Sequence, residues 1–134
     1  MPCLFCAIVS GEIPCQKVYE DASTFAFLDI GPVSEGHTLI VPKTHADNLA
    51  SGSAETAQQL MATVYRIAPA ILKAVGADGY NLGMNHGEAA GQDVFHTHLH
   101  IMPRKVGVPR VFTKTHPSPE LLAATAAAIR EALG

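Results

Sequence analysis

The chain has 134 residues, of which 48% are hydrophobic and 16% charged, and its formal charge is −3. That length supports one compact domain with its own core and is short for two. The slight acidity excludes a broad footprint on a nucleic-acid polymer, which needs a basic face, but leaves room for a small phosphorylated ligand held by a few local donors.

The start, Met1-Pro2-Cys3-Leu4-Phe5-Cys6, has no basic region leading into a long apolar run, and no window reaches the length of a membrane span. A cytoplasmic protein without a membrane partner is therefore expected. Three cysteines, an odd number, do not make a disulfide framework, and Cys15 reads as a small half-buried hydrophobe. Phe5 to Ile13 predicts a short helical turn and a loop ending at Gly11 and Pro14. Lys17–Glu20 and Thr24–Ile30 predict a hairpin around the turn Asp21-Ala22-Ser23, and Gly31-Pro32 stops it. Thr38–Val41 is a third, β-branched strand ended by Pro42.

Leu60, Val64, Ile67, Ile71 and Val75 then recur at helical spacing, with Ser53 as N-cap, Glu55 in the first turn, and Gly76 and Gly79 ending the run. Pro69 inside the pattern should kink or divide that helix. Tyr80–Met84 is a fourth strand, Asn85–Gln92 a polar glycine-bearing loop, and Val94–Met102 a fifth strand closed by Pro103. Ser118-Pro119-Glu120 opens a last helix with a cap, an N1 proline and an early acid. The expected class is α+β: a five-stranded antiparallel sheet with one long central helix and a C-terminal helix. Residues 1–134 form a single domain in this reading, with 103–134 its C-terminal loop and helix.

The chemistry concentrates in His96-Thr97-His98-Leu99-His100-Ile101-Met102. Read as a strand with period two, it puts His96, His98 and His100 on one face, with Leu99 and Ile101 among the residues behind. Three aligned imidazoles repel when charged and demand partners when buried, so packing alone does not account for them. Two chemistries are open. The imidazoles could hold a catalytic metal, although no Asp or Glu follows within a few residues to complete a site. Alternatively, one neutral imidazole attacks an electrophile while its neighbours orient it. Gly87 and Gly91 can present backbone N–H groups just before the strand, and Asn85 and Gln92 add side-chain donors, a composition that suits a phosphate. Cys3 and Cys6 form half of a tetrahedral zinc site, with His45 and one histidine of the triad as candidates to complete it. A redox role for the pair lacks the βαβ setting it usually has.

These residues resemble the signature of the histidine-triad (HIT) family. Ile13-Pro14, Phe27-Leu28-Asp29-Ile30, Gly36-His37, Ile40-Val41-Pro42-Lys43, His45 and Gly91-Gln92 follow as family landmarks in order. The stretch after Lys105 is similar to the helical tail of bacterial members. The resemblance implies a homodimer that hydrolyses or transfers nucleoside monophosphate groups, with a purine nucleotide as substrate. It matches His98 to the nucleophile and His100 to the group on the phosphate and leaving-group side. Asn85, Gly91 and Gln92 match phosphate contacts, and Asp29 matches the carboxylate that binds the ribose hydroxyls. Phe5, Ile8, Ile13, Phe27, Leu28, Ile30 and Leu39 match the nucleoside pocket, with core packing as their plain alternative. Cys3, Cys6, His45 and His96 match the ligands of a structural zinc.

Two positions depart from the pattern. Thr97 replaces an aliphatic spacer, and Asp93 stands where eukaryotic members carry a hydroxyl facing the phosphate. The expected activity is hydrolysis at the α-phosphorus of an adenosine phosphoramidate or acyl adenylate through a nucleotidyl-histidine. Dinucleoside polyphosphate hydrolysis is the runner-up, and a nucleotide-binding or protein-interaction module and a metallohydrolase are the rival classes.

Overall fold

A computed structural model describes residues 3–134, in the order α1 (Leu4–Ser10), β1 (Lys17–Glu20), β2 (Thr24–Leu28), β3 (Thr38–Pro42), α2 (Ala54–Val75), β4 (Gly79–Gly83), β5 (Leu99–Arg104) and α3 (Pro119–Leu133). The strands form one antiparallel sheet in the order β1-β2-β3-β5-β4. No helix among the described residues is long and apolar enough to cross a membrane.

Alternation along the strands sorts the core into two layers. Ala26, Leu28, Ile40, Leu99 and Ile101 meet Leu60, Val64, Ile67 and Ile71 of α2 and Ala126 and Ile129 of α3. Phe25, Phe27, Leu39 and Val41 point to the opposite face and pack against Phe5 and Ile8 of α1. Because both faces are covered, β2 and β3 are buried at every position and read as continuous apolar runs. Polar bonds fix the register between elements. Asp21 Oδ1 accepts the Ser23 and Thr24 amides at 2.8 Å in the β1–β2 turn. The buried hydroxyls of Thr24 and Thr63 bond at 2.7 Å, tying β2 to α2.

Three expectations need correction. Helix α2 is not divided at Pro69 but continues through it from Ala54 to Val75. Pro69 lies on the exposed side, next to Tyr65, which is 86% exposed, so water can meet the carbonyl that the missing N–H leaves free. Second, the fifth strand begins at Leu99, and only His100 of the triad lies within it. Strand β4 ends at Gly83, opposite His100, so residues before Leu99 find no ladder there. They tie to the loop after β3 instead, where the Thr97 amide donates to the Ala46 carbonyl at 2.9 Å. Third, Pro103 lies inside β5, opposite Tyr80. By then β5 has run past β3, whose last partner is Ile101 opposite Thr38.

Candidate active site and metal centre

The α1 face of the sheet carries two histidine clusters, and hydrogen bonding separates their chemistry. In the first, Cys3 and Cys6 at the start of α1 meet His45 from the loop after β3 and His96 from the segment before β5. Their four ligand atoms all lie within 4.8 Å of one another. Cys3 Sγ is 3.4 Å and Cys6 Sγ 3.5 Å from His96 Nδ1, Cys6 Sγ is 3.4 Å from His45 Nδ1, and the two Nδ1 atoms are 3.2 Å apart. Zinc bonds of about 2.3 Å to sulfur and 2.0 Å to nitrogen set tetrahedral edges of about 3.3–3.8 Å, so these separations fit that ion.

The outer partners support the same chemistry. A carbonyl can only accept, so the 2.8 Å contact of His96 Nε2 with Pro42 O places the proton there and leaves Nδ1 open. Asp47 accepts from His45 Nε2 at 2.9 Å, and this hydrogen bond, ahead of any other influence, raises the His45 pKa. Burial pushes the Cys3 thiol up, but hydrogen bonds from Cys6, its backbone N–H first, hold it below the ordinary thiol value.

The second cluster, Asp29, His37 and His100, looks similar by distance alone. Here the Val33 amide donates to His37 Nδ1 at 3.1 Å, so the neutral ring carries its proton on Nε2. That Nε2–H faces His100 Nδ1 at 2.8 Å and lies 3.7 Å from Asp29 Oδ2. A metal on His37 Nε2 would need the other tautomer and would set an N–H against the Val33 N–H. The cluster is thus arranged for protons, and His100 is left with its own proton on Nε2. Burial, then the nearby His37 and His98, lowers the His100 pKa to about 4, and burial also lowers that of His37.

Between the clusters, the buried His98 donates from Nδ1 to His96 O at 2.8 Å, which leaves Nε2 unprotonated. Its ring lies 5.1 Å from that of His100 and meets the edge of Phe5 at 5.0 Å. The pair therefore offers a free nitrogen on one ring and an N–H on its neighbour.

The other sequence candidates divide. Phe5, Ile8, Phe27 and Leu39 gather in one apolar cluster beside His98, and Asp29 follows β2 at the same end of the sheet. Leu28 turns to the α2 layer, Ile30 is 79% exposed, and Ile13 lies at the surface outside that cluster. Gly87 and Gly91 both have left-handed φ values, 88° and 93°, which shape the loop that Asn85 borders. Gln92 departs from its expected use. Its amide donates to the Asp47 and Val94 carbonyls while its Oε1 accepts the Gly87 amide, so it braces the loop and has no hydrogen to spare for a phosphate. Asp93 is exposed and makes no hydrogen bond or ion pair among the described residues.

Sequence reasoning missed Asp47 as a site residue and gave His37 only as part of the Gly36-His37 landmark, with no role, because spacing alone does not reveal the partners of its ring. Gly36 carries the local signal. Gly36 has φ +86°, and a Cβ there would come within 3.0 Å of Val75, so the turn that delivers His37 requires glycine.

Comparison with known proteins agrees with this architecture. A family model described as the HIT domain matches residues 10–107, and the chain belongs to the HIT family. It is 48% identical over 103 residues to adenylylsulfatase HINT3 of Arabidopsis thaliana, covering 77% of this chain but only 52% of that protein. It is 43% identical over 104 residues to adenosine 5′-monophosphoramidase hnt1 of Schizosaccharomyces pombe, covering 78% of this chain and 75% of that one. A zinc-bound histidine triad family protein from Mycobacterium smegmatis superposes with a TM-score of 0.90 at 42% identity, covering 99% of this chain and 94% of that one.

Proposed function

We propose that this chain is a nucleotide hydrolase acting at the α-phosphorus of an AMP-type phosphoramidate or acyl nucleotide. The observation that carries the reading is the pair of assigned tautomers, an open Nε2 on His98 beside an Nε2–H on His100. His98 Nε2 attacks phosphorus and the bond to the leaving group breaks, the departing atom taking its proton from water while the His100 Nε2–H donates a hydrogen bond to the charge that develops there. Water then attacks the nucleotidyl-histidine, the P–N bond breaks, and the proton released by the attacking water goes to solvent, which closes the balance. The names of the Arabidopsis and fission-yeast relatives, which describe adenylyl-sulfate and adenosine phosphoramidate chemistry, support this reaction class.

In this reading Phe5, Ile8, Phe27 and Leu39 hold the base, Asp29 the ribose hydroxyls, and Asn85 with the Gly91 backbone the phosphate. Cys3, Cys6, His45 and His96 hold a structural zinc that staples α1 to the sheet, a choice supported by the zinc-bound mycobacterial relative. None of the three cysteines forms a disulfide, which suits the reducing cytoplasm. A homodimer would cover the open edge of β4, where Tyr80 and Leu82 are each 39% exposed.

The test compares wild type with His98→Ala on an adenosine phosphoramidate and on a dinucleoside polyphosphate. Turnover should fall at least ~10³-fold while AMP affinity changes far less, and wild type should carry a trapped nucleotide on His98. Near-normal turnover by His98→Ala would overturn the mechanism. Exclusive use of the dinucleoside substrate would shift the assignment to the runner-up activity.

A further inference from the structure

The turn between β2 and β3 delivers both Asp29 and His37, and most of it is held by its own hydrogen bonds. The Asp29 amide donates to His37 O at 3.0 Å and the His37 amide to Ser34 O at 3.1 Å, which closes the turn at its ends. The Gly31 amide donates to Asp29 Oδ1 at 2.8 Å. The Pro32–Val33 peptide in the middle has no backbone partner within the turn among the described residues. Its N–H donates instead to the His37 ring, at Nδ1, 3.1 Å away. Its carbonyl faces the other way, as a trans peptide requires, and meets Thr115 of the segment between β5 and α3. Thr115 donates twice to that oxygen, from its hydroxyl at 2.7 Å and from its amide at 3.0 Å.

Thr115 lies beyond the residues matched by the HIT domain, in a stretch anchored on both sides. Before it, Arg104 donates from Nη1 to Val111 O at 2.8 Å, and its guanidinium lies 5.0 Å from the Phe112 ring centre. After it, Pro117 leads into Ser118, whose hydroxyl accepts the Leu121 amide at 3.1 Å and caps α3. Pro117, Leu121 and Leu122 line one small cavity together with Pro32 and His37, so the start of α3 stands directly behind the turn.

We propose that Thr115 is a positioning residue of the active site, fixing the tautomers of His37 and His100 through the Pro32–Val33 peptide. This rests on the reading of the His100 Nε2–H as the donor to the leaving group. Pro32 O and the Val33 N–H belong to one rigid plane, so donors that pin the oxygen also aim the hydrogen. Two hydrogen bonds accepted by the carbonyl polarise the group and strengthen its N–H as a donor. The competing state is a flip of this peptide, which needs only the Pro32 ψ and the Val33 φ to turn and leaves the ring-locked Pro32 φ untouched. The carbonyl would then face His37 Nδ1, and a carbonyl can only accept. His37 would move its proton to Nδ1, its bare Nε2 would accept from a His100 Nδ1–H, and His100 would have no hydrogen on Nε2. The flip thus inverts both rings and removes the donor at the leaving group. Thr115 opposes it, because the flip breaks both of its hydrogen bonds.

Heteronuclear NMR of the imidazole nitrogens in the zinc-loaded full chain reads these tautomers directly, with no substrate present. Wild type should show His37 and His100 both protonated on Nε2. Thr115→Val keeps the shape and the amide but loses the hydroxyl, and the residue is exposed, so the variant should fold. It should populate the Nδ1–H form of His37 and lower kcat on adenosine 5′-phosphoramidate about fivefold, the worth of one hydrogen bond, with KM nearly unchanged. Thr115→Ser, which keeps the hydroxyl, should restore both. A purely structural role would lower the melting temperature of Thr115→Val and leave its tautomers and kcat as in wild type. That result overturns the proposal, as does an Nδ1–H His37 in wild type or a Thr115→Ser as impaired as Thr115→Val. The two readouts fail separately. Wild-type cleavage with the same tautomers in all three proteins removes the positioning role alone, and a tautomer shift in Thr115→Val without wild-type cleavage supports the tautomer lock while removing the hydrolase.

Discussion

Acidification should weaken the fold through His100, and the size of the effect follows from the site. Burial and its histidine neighbours lower the His100 pKa from 6.5 to about 4 in the folded chain. As pH falls, the unfolded chain therefore takes up this proton first. The stability tied to the neutral ring is whole above about pH 6.5, is lost progressively down to about pH 4, and changes no further once both states are protonated. Between pH 7.5 and 5.0 this single group should remove about 2 kcal/mol of unfolding free energy. The assay is urea denaturation at both pH values for wild type and His100→Gln, whose amide titrates nowhere in the window. Protonation of the metal ligands weakens both proteins alike, so the difference between them reports His100 together with its hydrogen-bonded partner His37. Wild type should lose about 2 kcal/mol more than the variant. Equal losses would show that the ring is not held neutral by its surroundings, and the hydrogen-bond donor role built on its Nε2–H would fall with it.

Cys6→Ser should lower bound zinc from about one per chain and reduce the melting temperature by several degrees, with a smaller effect on kcat; elemental analysis and calorimetry report both. An unchanged melting point after metal removal would refute the structural zinc. Asp93 is exposed and unpaired, so Asp93→Ser should alter kcat/KM by no more than about threefold. A large gain would show that its carboxylate faces the phosphate and had opposed binding.

Local rules were enough for much of this molecule. Helix α2 carries its Ser53 cap, its apolar stripe and a left-handed Gly76 end, and α3 has its Ser118 cap and N1 proline, because caps and periodicity act within a few residues. The same locality explains the β1–β2 hairpin and the C-x-x-C pair at the head of α1. The triad was visible as a motif, yet its division of labour was not. His96 turns to the cysteines, His98 bonds the His96 carbonyl and His100 accepts a hydrogen bond from His37, and these partners lie up to 93 residues apart. Spacing along a chain records which side chains share a face, whereas a tautomer is decided by whatever donor or acceptor the fold brings to each ring nitrogen. His37 became a site residue because the Val33 amide and His100 meet it from opposite sides, and Gln92 became a brace because Asp47 and Val94 claim its amide hydrogens. Those assignments depend on contacts between distant elements, so only the tertiary structure decided them.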